Sequence, residues 1–98
     1  MIEHIVLFKW QPDASPEAIA SVMDGLKGLK AKITEIIDLS CGENYSERGQ
    51  GFQHGLVVRF ADREALKSYQ AHPDHQEVVA QLIKPILTDI LAVDYEIT

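Results

Sequence analysis

Residues 2–10, IEHIVLFKW, alternate without a break. Ile2, His4, Val6, Phe8 and Trp10 fall on one side of an extended chain and Glu3, Ile5, Leu7 and Lys9 on the other, the period of two that marks a β-strand. Both sides carry apolar residues, Val6 and Phe8 on one, Ile5 and Leu7 on the other. A strand of this kind needs a covering layer on each face, and how the rest of the chain supplies those layers decides the fold.

Downstream of the strand, Ser15 can cap a helix, Pro16 suits its first position and Glu17 suits the positive end of its dipole. An apolar stripe follows at Ile19, Val22, Met23, Leu26 and Leu29, spaced three and four apart. Gly25 and Gly28 either weaken the later half of this helix, by roughly 1 kcal/mol each relative to Ala, or permit close packing. Alternation from Ile33 to Cys41 predicts a second strand, and GENYSERGQG (42–51) a polar loop. Phe52–Phe60 reads as a third strand. Asp62 caps a short helix running through Tyr69, and His72-Pro73 interrupts it, because the residue before a proline avoids helical angles. Pro73 starts a third helix with apolar Val78, Val79, Leu82, Ile83, Ile86 and Leu87, which Pro85 should kink or end. Leu91, Val93, Tyr95 and Ile97 alternate in a last strand.

The order β-α-β-β-α-α-β is the split βαβ pattern of a ferredoxin-like α+β sandwich in a single domain. Its helices cover one face of the sheet, so the other face needs a partner. The expectation is a homodimer in which two sheets face each other.

The totals narrow the function. In 98 residues there is room for one domain. A formal charge of −6 disfavours nucleic acid and anionic membranes, which clustered Lys and Arg recognise. The only basic cluster, Lys27, Lys30 and Lys32, reads as the solvated end of a helix. Cys41 is the only cysteine, so no internal disulfide forms. MIEHIVLFKW has neither the basic start nor the apolar core of a signal peptide, and no apolar run approaches the ~18 residues that span a bilayer. A cytoplasmic protein is expected.

Four residues could carry chemistry. His4 and His54 sit in neighbouring strands on the face that also holds Phe8, Trp10, Phe52 and Phe60. They are either core histidines satisfied by backbone or water, or two imidazoles that approach one another and line a pocket between sheet and helices. His72 and His75 are three apart, but Pro73 breaks the geometry between them and no third ligand has a suggestive spacing, so no metal is expected. With Pro73 first in its helix, His75 lies in the first turn, where the dipole keeps an imidazole neutral and able to act as a general base. Tyr69, across the break, could turn its phenol toward the same pocket. Spacing alone also accommodates a surface histidine beside a half-buried tyrosine. The loop at 42–51 lacks the spacing and the lysine of a phosphate cradle, and Asp94 with Glu96 reads as a solvated edge.

HIVLFKW (4–10), GENYSERGQGFQHGLVVRF (42–60), YQAHPDHQEVV (69–79) and ILAVDYE (90–96) together resemble the stress-responsive A/B barrel domain family, Dabb, over nearly the whole chain. The resemblance implies a ferredoxin-like protomer and a homodimer built around a shared β-barrel. The family includes a plant polyketide cyclase that closes a ring by aldol condensation without a cofactor. Its catalytic tyrosine and histidine match Tyr69 and His75, and its strand histidines match His4 and His54, while Val22 and Met23 stand where aromatic residues would be expected. The resemblance thus implies cofactor-free acid–base chemistry on a carbonyl substrate of polyketide type, with His75 as base, Tyr69 as its partner, and His4 and His54 as substrate-binding residues. Neighbouring dimeric α+β barrel families add cofactor-free monooxygenases and lactone isomerases as an alternative. A non-catalytic dimer that sequesters a small apolar or aromatic ligand is the third.

Overall fold

Four antiparallel strands form one sheet in the order β2-β3-β1-β4, with three helices packed on one of its faces, in a computed structural model that describes all of residues 1–98. Strand β1 (Ile2–Trp10) lies at the centre. Its even-numbered residues are buried and its odd-numbered ones half-buried, as the alternation requires. Helix α1 (Pro16–Lys32) begins as expected: the Ser15 hydroxyl accepts from the Ala18 N–H at 3.1 Å, and Pro16 occupies the first turn. Val22, Met23, Leu26 and Leu29 are its buried stripe.

The second strand differs from its expected bounds. Helix α1 runs to Lys32, Ile33 caps its C-terminus, and β2 is Asp38–Glu43 rather than 33–41. The β-branched residues at 33–37 form a turn instead, which sends Ile33 and Ile36 into the core beneath the helix. Two isoleucines three apart serve a turn as well as a strand when both find cover. Strand β3 (His54–Phe60) starts two residues later than the sequence suggests, because the Phe52 N–H is taken by the Gly49 carbonyl inside the loop. Gln50 and Gly51 there hold positive φ, 54° and 87°.

Helix α2 (Arg63–Ala71) is capped by Asp62, whose carboxylate accepts from the Ala65 N–H at 2.9 Å. His72 then ends one helix and begins the next: its Nδ1 accepts the Asp74 N–H at 3.1 Å and so caps α3 (Pro73–Val78). The helix continues as a π-helical turn, Val79–Ile83, in which the Lys84 N–H donates to the Val79 carbonyl five residues back, and closes in a 3-10 turn, Lys84–Ile86. Pro85 accounts for both, since it donates no N–H and crowds the carbonyl four residues before it. The chain turns extended at once, so β4 is Leu87–Glu96 and begins four residues before the alternation from Leu91 becomes visible. It pairs with all of β1, bulging between Lys9 and Trp10.

Beneath the helices lies one core of 17 apolar residues, including Phe8, Trp10, Leu26, Leu29, Val58 and Phe60. The opposite face is bare. Leu91, Val93 and Tyr95 on β4 and Val57 on β3 are exposed there, beside Ile5 and Leu7 and the Glu3–Arg59 ion pair at 2.8 Å. No helix is long and apolar enough to cross a membrane.

Candidate active site at the start of the third helix

The break between α2 and α3 brings three of the four sequence-identified residues together. Tyr69, in the last turn of α2, is fully buried. Its ring packs on Phe60 at 5.0 Å between centroids, meets the His4 ring edge-on at 6.0 Å and lies 4.3 Å from the ring of His75. Its hydroxyl is buried and has no hydrogen-bond partner in the protein. Burial alone pushes the phenol up to about 12, so Tyr69 is a neutral donor at physiological pH.

His75 stands half-buried in the first turn of α3. Its Nδ1 lies 3.3 Å from the Gln70 carbonyl, which can only accept, so Nδ1 carries the proton and Nε2 holds the free lone pair. Burial lowers its pKa below the usual imidazole value against the opposing hydrogen bond to Gln70, and His4 and His72 lower it further. The imidazole is neutral at physiological pH chiefly through desolvation, with the helix dipole an additional influence in the same direction.

His4 projects from β1 into this cluster and is the one buried polar residue of the core. Its Nδ1 bonds the carboxylate of Asp94. The β1–β4 register sets His4 opposite Asp94, on the same face of the sheet. Asp94 is therefore part of the site, not a solvated edge. The only sequence signal for it is a carboxylate within an apolar strand, and the identity of its partner depends on the register.

His54 does not join them. It faces Phe8 in the β1–β3 register whereas His4 faces Val58, four residues along, roughly 13 Å at ~3.3 Å per residue. The expected approach of the two strand imidazoles is ruled out by that register. His54 instead accepts the Trp10 indole N–H at Nδ1, 2.9 Å away. An indole only donates, so Nε2 of His54 carries the proton. Burial holds its pKa below the usual value, with Glu43 opposing. His54 lines an open cleft of about 540 Å³ between the start of α1, where Ile19 and Met23 face it, and the loop carrying Phe52.

Residues 2–97 match the profile of Dabb, the Stress responsive A/B Barrel Domain. The chain belongs to the Dabb family. A dimeric ferredoxin-like protein of unknown function from Thermobifida fusca is 29% identical to this Dabb chain, with a TM-score of 0.86 over 98% of this chain and 90% of that one. Hydroxynitrile lyase from Passiflora edulis shares the fold at a TM-score of 0.89 and 20% identity, over 99% and 93% of the two chains. A stress-response A/B barrel domain-containing protein of Arabidopsis thaliana is 40% identical over 96 residues, which are 97% of this chain and 36% of the plant protein. This Dabb chain thus spans little more than a third of that relative's length.

Proposed function

We propose that this Dabb protein is a cofactor-free acid–base catalyst acting on a carbonyl compound, in aldol-type chemistry on a polyketide-like substrate. Nε2 of His75 removes a proton from the carbon next to the carbonyl. Tyr69 donates to the oxygen that gains charge as the enolate forms, and His4 holds a second substrate oxygen. The observation that carries this reading is the buried, unpartnered hydroxyl of Tyr69 packed against a neutral His75. A buried polar group without a partner costs about 1–3 kcal/mol, a penalty more readily understood where a ligand supplies the partner. The test is deuterium exchange alpha to the carbonyl of simple ketones and β-keto esters, followed by proton NMR. The wild-type protein should exceed His75→Ala by about 10²–10⁴-fold; equal rates would reject the assignment.

A second reading rests on a different place in the molecule. The cleft at His54 is large enough for a small aromatic or apolar molecule, and Nε2–H of His54 offers it a donor. On that reading the protein sequesters a ligand without transforming it, and binding survives His75→Ala unchanged. Under either reading the bare sheet face is covered by a second copy, as the dimeric state of the Thermobifida relative supports.

A further inference from the structure

Of the imidazoles at this site, only His4 is bonded to a carboxylate. An ionised carboxylate can only accept, so Nδ1 of His4 must carry a proton, and in the neutral ring Nε2 is left with the lone pair. Asn or Ser opposite His4 would satisfy the same nitrogen but leave the tautomer undetermined. The carboxylate determines it. Asp94 breaks an otherwise apolar run, Ile90 to Val93, and its side chain is 41% exposed beside a surface cleft of about 350 Å³ that Arg63 and Gln70 also line. The carboxylate therefore reaches solvent while its histidine is buried in the core.

We propose that Asp94 is a positioning residue that fixes the neutral His4 ring as a hydrogen-bond acceptor at Nε2, so that the substrate oxygen held by His4 belongs to a hydroxyl or enol rather than to a bare carbonyl. The inference rests on the reading of Tyr69 and His75 as the reacting pair, and it specifies the substrate class: a carbonyl compound that also carries a hydroxyl. Tyr69 donates to the carbonyl, and His4 accepts from the hydroxyl. A ligand with both groups is held at two points of opposite hydrogen-bonding character.

Two measurements test it. In protein labelled with ¹⁵N at histidine, two-bond imidazole spectra above pH 8 should show His4 protonated at Nδ1 in the wild type and in Asp94→Glu, with Nε2–H appearing in Asp94→Asn. Alpha-proton exchange is then compared for a β-hydroxy ketone and its O-methyl ether. The wild type should favour the free hydroxyl by roughly three- to tenfold, the worth of one net hydrogen bond. Asp94→Asn should bring that ratio close to one, and Asp94→Glu should restore part of it. An Nε2–H tautomer in the wild type overturns the proposal, as does a hydroxyl preference that Asp94→Asn leaves untouched. No exchange by the wild type on either compound overturns the underlying reaction and this specificity with it; that result differs from the proposal's own failure, in which the wild type is active.

Discussion

At the residue scale the site joins an imidazole that burial keeps neutral to a phenol that burial keeps protonated. If His75 is the base, kcat/KM should rise with pH through an apparent pKa below the ordinary imidazole value of about 6.5. A midpoint above that value would assign the limb to another group. Stability carries a related signature. His54 and His75 both have lowered pKa values in the folded protein, so the unfolded chain binds more protons as pH falls below about 6.5. Their contribution is complete above that pH and is lost as pH falls toward the folded values. Urea midpoints at pH 7.5 and 5.5 should differ in that direction, and by less in His75→Gln. Tyr69→Phe separates stability from function. Removing an orphaned hydroxyl should raise stability by about 1 kcal/mol, several degrees in Tm for a domain of this size, while exchange falls. A lower Tm would mean that the hydroxyl finds a partner in solution. Tyr69 and His75 are legible in the sequence because a His-Pro step fixes where one helix stops and the next begins. The His4–Asp94 pair and the separation of His54 are not, since each depends on strand register, which no local pattern displays.

At the scale of elements, the two glycines of α1 have opposite surroundings. A Cβ at Gly28 would meet nothing within 4 Å, whereas one at Gly25 would come 2.7 Å from Cδ1 of Leu82 and 3.6 Å from Val78. Gly28→Ala should stabilise by about 0.5–1 kcal/mol through helix propensity and a stiffer unfolded chain. Gly25→Ala should gain less or nothing, because Leu82 must move aside where α1 packs on the third helix and its π-helical turn. Equal shifts in denaturant midpoint for the two variants would reject this account. Of the two readings the sequence allows, propensity loss describes Gly28 and close packing describes Gly25. Element order, both predicted caps and the interruption at Pro73 are readable because each is set by residues within a few positions. The stretch 33–37 departs from its strand reading for the opposite reason: β-branched content signals a strand only if a neighbour pairs with it, and here the core claims Ile33 and Ile36 first. Likewise the start of β4 is hidden by Leu87, which continues the helical stripe in sequence and the sheet in space.

For the whole molecule, the strand that faces two ways is the dominant fact. Leu91, Val93 and Tyr95 are each nearly half exposed on the face that no helix covers, an apolar patch of the kind that marks an interaction surface. Light scattering at micromolar concentration should give twice the 11.0 kDa of one chain, and Val93→Asp should shift the protein toward monomer while leaving its helical signal in place. A wild-type monomer would leave the two-faced pattern of β1 unexplained. The same substitution asks whether the site needs the dimer, because Tyr95 and Asp94 are neighbours on β4 that point to opposite faces, one into the proposed interface and one toward His4.

Trp10 is the chain's single tryptophan, and its indole both stacks on Phe8 at 5.1 Å and donates to His54 at the cleft. The protein therefore carries an optical label at one defined address. Emission excited at the red edge of protein absorption comes from that ring alone, and a protonated imidazole in contact with indole quenches it. Acid titration of the fluorescence reads the charge on His54, and a molecule that bonds His54 in the cleft perturbs the same signal without any dye.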